Sequence, residues 1–279
     1  MPASSLNEDT RKVILITGAS SGIGKACAQH LASRGYRVFG TCRNPGTRAS
    51  EEKSIEMLEM NVDDDDSVDG AILKLLEQAG RVDGVVNNAG FALMGSVEDT
   101  SIDEARAQME TNFFGVLRVC RAVLPMMRKQ RSGYIVNISS LAGVLGLPFS
   151  GLYSASKFAL EGMTESLRLE LRPFGIRVVL IEPGDFNTQL PAKRCVAMLS
   201  EKNGAYQEKF EEFKLAQEKD ESKAPSPEPV AILVDRILRL RSPSTRYSVG
   251  MLEQRIVVPL KRVLPQRLFE WVLCKVLGL

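Results

Sequence analysis

Histidine and cysteine are scarce in this sequence of 279 residues, and neither residue type forms a metal-binding or disulfide pattern. The single histidine, His30, falls within a predicted helix and is expected to be a packed or surface residue. The five cysteines are odd in number and have no CxxC spacing: Cys27, Cys42, Cys120, Cys195 and Cys274. This pattern favours free thiols in a reducing compartment, and it predicts neither a disulfide framework nor a metal site.

Long apolar runs are also missing. No stretch approaches the ~20 apolar residues that a membrane-spanning helix needs. The first residues, MPASSLNEDTRK, are polar and lack the apolar core of a secretory signal, so we expect a flexible tail over residues 1–11. These features predict a soluble, cytoplasmic protein that at most attaches to a membrane surface.

The chain has little excess charge of either sign. Its net charge is +2 and its pI is near 8.2, which is too small a basic excess to indicate a nucleic-acid-binding protein. Hydrophobic residues make up 44% and charged residues 25%, as is usual for a globular protein with one large core. The sequence contains no internal repeat, and we expect a single domain over residues 1–279.

Short β-branched runs alternate with longer helical patterns along most of the chain. The runs are nearly continuously apolar, which is typical of strands buried between helices on both faces of a parallel sheet. They predict strands at 13–17, 36–41, 83–88, 133–139 and 176–183, and a weaker strand at 54–60. Helices are predicted at 23–34, 66–80, 101–130 and 152–172. The alternation predicts an α/β fold of the Rossmann type, a doubly wound parallel sheet.

One segment breaks this alternation. Residues 201–229 are highly charged, poor in β-branched residues and closed by prolines. We interpret them as a solvated helix followed by a loop, inserted before a last helix and a short strand near RYSVG. A disordered linker is the alternative that composition alone would allow.

The first predicted strand leads directly into TGASSGIG, which places glycines at the turn into the first helix: Gly18, Gly22 and Gly24. Glycines there allow a tight turn and let a pyrophosphate approach the amides at the positive end of the helix dipole. The spacing is GxxxGxG, which differs from the commonest dinucleotide fingerprint. A purely structural turn is the alternative.

Six separated motifs together resemble the short-chain dehydrogenase/reductase family, in that family's order and spacing. They are TGASSGIG, NNAG at 87–90, NFFG at 112–115, SS at 139–140, YSASK at 153–157 and EPG at 182–184. The resemblance covers about residues 12–190. The stretch GLPFSGLYSASKFALEG is similar in particular to the branch with 17β-hydroxysteroid and retinol dehydrogenases.

The residues Tyr153 and Lys157 are four positions apart, so a helix would place both side chains on one face. An isolated YxxxK would more often be a half-buried tyrosine beside a solvated lysine. The family resemblance implies instead that Tyr153 is the general acid/base, and that Lys157 activates it and binds the nicotinamide ribose. It also implies that Ser140 polarises the substrate oxygen, and that Asn112 holds a water in the proton path. An amide that links two helices is the alternative for Asn112.

The end of the second predicted strand bears on coenzyme choice. An acidic residue there would bind the adenosine ribose hydroxyls and repel a 2′-phosphate, but the sequence has Thr41, Cys42 and Arg43. Arginine pairs well with phosphate, so NADP(H) is favoured over NAD(H). A solvent-facing Arg43 is the alternative.

The resemblance implies further cofactor contacts. Asn61 and Val62 stand where the family often has Asp-Val, and Asn61 could still bind an adenine edge. The four aspartates that follow are expected to cap the next helix. Asn87 is expected to face a ribose, and Thr188 to hold the nicotinamide carboxamide. The remaining predicted contacts are Ser20, Ser21, Ile23, Ala89, Gly90, Pro183 and Gly184.

The family covers its substrate pocket with the region after the PG turn, here residues 185–227. The early part of this predicted lid is apolar: Phe186, Leu190, Pro191, Val196, Met198 and Leu199. Such a lid suits a small hydrophobic carbonyl or alcohol substrate, such as a steroid or retinoid, although the same residues could simply pack the lid.

These observations predict an NADP(H)-dependent oxidoreductase that interconverts a carbonyl and an alcohol. A catalytically silent nucleotide-binding protein of the same fold is the alternative, but it would have no need of the proton relay. A sugar-nucleotide epimerase or dehydratase is disfavoured by the glycine spacing. A homodimer or homotetramer is expected, because the family commonly pairs the helices predicted at 101–130 and 152–172.

The C-terminal segment, residues 255–279, is apolar but carries basic residues and prolines. Two prolines in it are expected to break its helix, and the charges argue against a membrane span. We favour packing over the pocket or the core. The alternative is a peripheral membrane contact, in which basic residues meet anionic lipid and the aromatic face enters the interface.

Overall fold

Seven parallel strands form the central sheet of the computed structural model, which describes residues 10–46, 54–188, 194–200 and 204–277. The strands of the chain are β1 (Val13–Ile16), β2 (Arg37–Cys42), β3 (Ile55–Glu59), β4 (Gly84–Asn87), β5 (Ala92–Met94), β6 (Gly133–Ile138), β7 (Ile176–Pro183), β8 (Arg194–Val196) and β9 (Arg246–Val249). The sheet order is β3-β2-β1-β4-β6-β7-β9, while β5 and β8 form a separate parallel pair.

The helices cover both faces of this sheet. They are α1 (Gly22–Ser33), α2 (Asp65–Ala79), α3 (Ile102–Met109), α4 (Gly115–Gln130), α5 (Gly151–Leu171), α6 (Gln207–Lys223), α7 (Glu228–Arg239), α8 (Leu252–Val263) and α9 (Gln266–Leu277). Alternate side chains of the strands enter two hydrophobic clusters: Leu15 faces the α2, α4 and α5 side, whereas Ile14 and Ile16 face α1 and α7. The predicted doubly wound α/β fold is confirmed.

The inserted segment, residues 201–229, contains a helix where the structure describes it, as the sequence analysis predicted. α6 occupies its middle, α7 and β9 follow as predicted, and residues 201–203 lie outside the described part. The predicted N-capping role of the aspartates is also confirmed, because the Asp64 carboxylate accepts a hydrogen bond of 2.7 Å from the Ser67 amide at the start of α2. The predicted flexible tail falls mostly on residues 1–9, outside the described residues.

Two predictions of helix continuity were wrong. The helix expected over 101–130 is interrupted by a π-helical turn, Glu110–Phe114, between α3 and α4. In the C-terminal segment only Pro265 separates two helices, because Pro259 lies inside α8 without ending it. Among the described residues, no helix has the length and apolar content to cross a bilayer.

Candidate active site

The turn from β1 into α1 forms one end of a cleft at the carboxyl edge of the sheet. Gly18 and Gly22 have φ of +67° and +56°, in the left-handed region that favours glycine. A Cβ on Gly24 would lie 2.4 Å from the Gly18 carbonyl oxygen, so α1 begins directly against the turn. The first turn of α1 carries no acidic residue. This cradle fits the pyrophosphate of a dinucleotide, which the helix dipole would stabilise.

Thr17 and Asn88 hold this turn in place. The Thr17 hydroxyl accepts hydrogen bonds of 2.9 Å from the amides of Asn88 and Ala89, and the Asn88 side chain donates to the Thr17 carbonyl at 3.0 Å. The predicted contact of Asn87 with a ribose stays a prediction, although its side chain lies outside the lining of the cleft. Asn87 ends β4 with its side chain buried and donating to Asn137 at 2.8 Å, whereas Asn88 lines the cleft.

Tyr153, Lys157 and Ser140 meet in the cleft from two neighbouring elements. The first two lie one turn apart on α5, and the Lys157 ammonium is 5.9 Å from the centroid of the Tyr153 ring. Ser140 follows β6 and starts a 3₁₀ turn, Leu141–Gly143, in which its hydroxyl accepts from the Ala142 amide at 3.1 Å. A hydroxyl, a phenol and an ammonium therefore converge where a carbonyl oxygen could accept hydrogen bonds.

The Lys157 ammonium is buried and donates a hydrogen bond of 2.9 Å to the Ile138 carbonyl. Burial lowers the pKa of Lys157 to about 8, and the negative charge of Glu161 acts in the opposite direction. Glu161 lies one further turn along α5. Burial raises its own pKa to about 6, although contacts with Ser139 and Arg246 stabilise the carboxylate. The face of α5 that bears the tyrosine and lysine thus continues into a buried carboxylate.

Asn112 lies in the π-helical turn between α3 and α4. Its side-chain oxygen accepts from the Phe91 amide at 3.1 Å, and its side-chain nitrogen donates to the Phe91 carbonyl at 3.0 Å and to the Ser156 hydroxyl at 3.1 Å. Gly90 permits this approach, because a Cβ there would lie 2.9 Å from the Asn112 oxygen. Asn112 therefore links this turn to α5, as the alternative interpretation expected, and its role with water stays a prediction.

The loop after β7 is joined to the C-terminal helices. The Gln254 side chain accepts from the Asp185 amide at 3.0 Å and donates to the Asp185 carboxylate at 2.7 Å. The Gly184 amide donates to the Val249 carbonyl at 2.8 Å. Thr188 packs against Gly22, where an added Cβ would lie 3.2 Å from its side chain. Thr188 is thus placed between the glycine turn and the cleft.

The predicted contacts to the adenosine half lie along the same edge of the sheet. Arg43 follows directly after β2 and is exposed. Asn61 follows β3, its amide donates to the Ser67 hydroxyl at 2.9 Å, and Val62 is buried against Gly115. None of these three predicted contacts belongs to the lining of the cleft, which is the part of the site near Tyr153.

The cleft has a volume of about 500 Å³. It collects these predicted residues: Ser21, Gly22, Ile23, Gly90, Ser140, Tyr153, Lys157, Pro183, Gly184 and Thr188. The remaining predicted residues of the glycine turn, Gly18, Ser20 and Gly24, lie in the turn and the first helix and do not line the cleft. The Ala89 amide donates a hydrogen bond to the Thr17 hydroxyl.

The apolar residues of the predicted lid that the structure describes do not line this cleft. Phe186 is buried in the cluster beside α1 and α7, Val196 packs beside Phe210 and Phe213, and Met198 and Leu199 are exposed. Leu190 and Pro191 lie outside the described residues. The region after the PG turn instead contributes mainly polar groups: Asp185, Thr188 and Gln217.

The apolar lining comes from three segments, of which the sequence analysis anticipated only the C-terminal one. They supply Phe91, Ala92, Met94, Leu141, Leu145, Leu147, Met251, Val257 and Leu273. Met251 directly precedes α8, Val257 belongs to α8 and Leu273 belongs to α9. The C-terminal segment therefore packs over the pocket. Its high apolar content was the signal available in the sequence.

The comparisons with known proteins agree with this site. The family model described as short chain dehydrogenase matches residues 12–196. The chain is 41% identical over 262 residues to 3-ketodihydrosphingosine reductase of Bacteroides thetaiotaomicron, covering 94% of this chain and 96% of the relative. It is 40% identical over 196 residues to human 17-beta-hydroxysteroid dehydrogenase type 1, covering 66% of this chain and 59% of the relative.

Solved structures show the same architecture. A short-chain dehydrogenase from Streptomyces avermitilis superposes with a TM-score of 0.81 at 35% identity, covering 94% of this chain and 96% of that one. ElxO with NADP bound has a TM-score of 0.71 at 27% identity, covering 86% and 97%. The chain therefore belongs to the short-chain dehydrogenase family, and it is an oxidoreductase with a site for a nicotinamide coenzyme.

Proposed function

We propose that this protein is an NADP(H)-dependent oxidoreductase that interconverts a ketone and a secondary alcohol on a long hydrophobic substrate. The observation that carries the proposal is the convergence of Ser140, Tyr153 and Lys157 on a cleft that also has apolar walls, which come from residues 91–94, residues 141–147 and the C-terminal helices. Apolar walls bind a hydrocarbon body, and the polar end fixes the reacting oxygen.

Tyr153, Ser140 and Lys157 each have a separate role in the proposed reaction. In the direction of reduction, a nicotinamide coenzyme bound at the glycine turn and the cleft would supply the hydride that the carbonyl carbon accepts. The Tyr153 phenol donates a proton to the carbonyl oxygen, and the Ser140 hydroxyl donates a hydrogen bond to that oxygen, so the negative charge that develops there is stabilised. The Lys157 ammonium stabilises the phenolate that remains, since an adjacent positive charge favours it.

Two features support NADP(H) over NAD(H). Arg43 lies exposed just after β2, where a 2′-phosphate would be accessible to its guanidinium. The sequence offers no acidic residue at that strand end to accept the ribose hydroxyls. Some structural neighbours of the same fold hold NADP, among them ElxO and a metagenomic short-chain oxidoreductase.

The names of the relatives support one class of hydrophobic substrate over the others. The relative that matches almost the whole chain is named for reduction of 3-ketodihydrosphingosine, whereas the steroid dehydrogenase matches 66% of the chain. A match over 94% of this chain must reach into the C-terminal region, whose residues Val257 and Leu273 line the cleft. We therefore favour a long-chain ketone over a steroid or retinoid.

Initial rates with NADPH and NADH against a panel of carbonyl compounds test the proposal. The panel contains 3-ketodihydrosphingosine, a 17-ketosteroid, retinal and a short water-soluble ketone. We expect the highest kcat/KM with the long-chain ketone and NADPH. A higher value with the short ketone, or with NADH, would contradict the substrate or the coenzyme assignment respectively.

A further inference from the structure

Helix α8 exposes a second apolar face in addition to the one that lines the cleft. Leu252, Ile256, Pro259 and Val263 follow one another at intervals of three or four residues, so they form one stripe. All four are exposed, with Leu252 at 74% and Val263 at 79%. Val257 and Val258 point the other way, into the cleft and the protein. A helix that covers only a cleft needs one apolar face, and α8 has two.

Helix α9 repeats this arrangement. Phe269 is buried and Leu273 lines the cleft, whereas Leu268 and Trp271 are exposed. Trp271 is 57% exposed, although tryptophan is among the residues that soluble surfaces carry least often. Its ring lies 4.6 Å from the Lys275 ammonium. An amphipathic ring beside an ammonium is the arrangement that favours the polar boundary of a bilayer.

The charge of the chain is concentrated in this segment. Residues 251–279 contain five basic residues and two acidic ones, whereas the whole chain has an excess of only two positive charges. The remainder of the protein is therefore slightly acidic. Arg255, Arg267 and Lys275 are exposed next to the outward apolar residues of α8 and α9. Basic residues that border an apolar surface complement an anionic lipid headgroup layer.

We propose that α8 and α9 form a docking surface for an anionic lipid bilayer. The outward stripe of α8, with Leu268 and Trp271, enters the boundary between headgroups and acyl chains, and Arg255, Arg267 and Lys275 meet the headgroup phosphates. The opposite faces of the same two helices line the cleft. Docking therefore brings the cleft to the membrane, where a hydrophobic substrate is dissolved. This last step rests on the proposed function, but the docking itself does not.

Sedimentation with vesicles tests docking without any substrate. We expect the protein to bind vesicles of phosphatidylcholine with phosphatidylserine more tightly than phosphatidylcholine alone, and binding should weaken as salt rises. The double variant Ile256→Ser/Val263→Ser should weaken binding at least about tenfold, because two apolar side chains no longer enter the bilayer. Leu73→Ser/Ile232→Ser is the matched control, since both residues are exposed on other helices, and it should bind like the parent.

Charge reversal separates the two contributions. Arg255→Glu/Arg267→Glu should abolish the preference for phosphatidylserine and leave the far-ultraviolet circular dichroism unchanged. Equal binding by the parent and both double variants would overturn the proposal, as would no binding to any vesicle. A lower solution mass of Ile256→Ser/Val263→Ser by light scattering, with no vesicle effect, would show that a second copy of the chain covers the stripe instead.

Activity provides an independent readout. Ile256→Ser/Val263→Ser should retain kcat/KM for a short water-soluble ketone, because neither side chain faces the cleft, and it should lose rate on a ketone presented in anionic vesicles. If the parent reduces no ketone but still binds these vesicles, the proposed function fails while docking stands. If the parent turns over the long-chain ketone but ignores vesicles, docking fails while the proposed function stands.

Discussion

The Lys157 ammonium donates a hydrogen bond of 2.9 Å to the carbonyl of Ile138, the last residue of β6. The bond ties the reactive face of α5 to the strand end that leads into Ser140, so the two halves of the catalytic group share one backbone support. Because the ammonium is buried, its pKa falls to about 8. The protonation of Lys157, whose positive charge stabilises the Tyr153 phenolate, therefore depends on the charged groups around the lysine.

The first prediction concerns the proton donor. Tyr153→Phe removes the phenolic hydroxyl and keeps the ring, so it should lower kcat by at least about a hundredfold, the usual scale for a lost general acid. Coenzyme binding, measured by fluorescence titration with NADPH, should change little. Turnover within a few fold of the parent would exclude Tyr153 as the proton donor.

The second prediction concerns the Glu161 carboxylate. Its negative charge raises the pKa of Lys157 against the effect of burial. Glu161→Gln should therefore lower the pKa of Lys157 and move the alkaline limb of kcat/KM to lower pH. The pKa of Glu161 is about 6, so the difference from the parent should appear above that pH and shrink below it.

Glu165→Gln is the matched control for this experiment. Glu165 binds the same Arg246 at 2.7 Å but is mostly exposed, and no effect of its charge on Lys157 is expected. A pH profile that shifts equally in both variants would show that Arg246 is responsible. An unshifted profile in Glu161→Gln would contradict the coupling between the two groups on α5.

Burial of Lys157 also links stability to pH. The folded protein binds the Lys157 proton less tightly than the unfolded chain, because the pKa is lowered from 10.5 to about 8. The unfolded state therefore holds more protons between these values, and this group's contribution to the free energy of unfolding rises with pH across that window.

The sequence predicted the sheet well because its strands are buried on both faces. In β1, β4, β6 and β7 nearly every residue contacts a helix on one side or the other, which leaves continuous apolar runs. The glycine turn and the pair Tyr153 and Lys157 could also be predicted from the sequence, because each depends on residue spacing within one local element.

The direction in which individual side chains point in the folded protein could not be predicted. Val257 lines the cleft and Ile256 faces outward, although the two residues are adjacent and similar in character. Asn87 and Asn88 differ in the same way at the end of β4. The π-helical turn around Asn112 adds one residue to a helical turn, and the apolar periodicity of the segment does not reveal that step.

The third prediction concerns Arg43 and coenzyme choice. Arg43→Asp should weaken the binding of NADPH by the free energy of one charge-assisted contact, roughly 1.5 to 3 kcal/mol, and shift the coenzyme preference of the enzyme toward NADH. The measurement is kcat/KM for both coenzymes with one ketone. Arg172→Asp makes the same charge change at the opposite edge of the sheet and should leave the ratio unaltered. An unchanged ratio in Arg43→Asp would place phosphate recognition elsewhere.

The fourth prediction concerns the link between α8 and the loop after β7. Gln254→Leu removes both hydrogen bonds to Asp185, so the loop that carries Thr188 should be held less firmly. Two lost bonds predict an increase of about tenfold in KM for the coenzyme, with a smaller change in kcat. Gln266→Leu is the control, because Gln266 is exposed and bonds Glu270 on its own helix. Equal KM values in the two variants would contradict a positioning role for Gln254.

The last prediction concerns assembly. Along α5, Ala155, Phe158, Gly162, Ser166 and Leu169 lie on one exposed face at helical spacing, and Leu169 is 71% exposed. Small and apolar residues let two helices approach closely, so we expect this face to pack against the same face of a second copy in a homodimer or homotetramer. Leu169→Glu would bury a carboxylate at that contact and should lower the mass measured by light scattering at micromolar concentration. Leu73→Glu makes the same change at an exposed leucine on α2 and should leave the mass unchanged, and a parent protein that is already monomeric would refute the assembly.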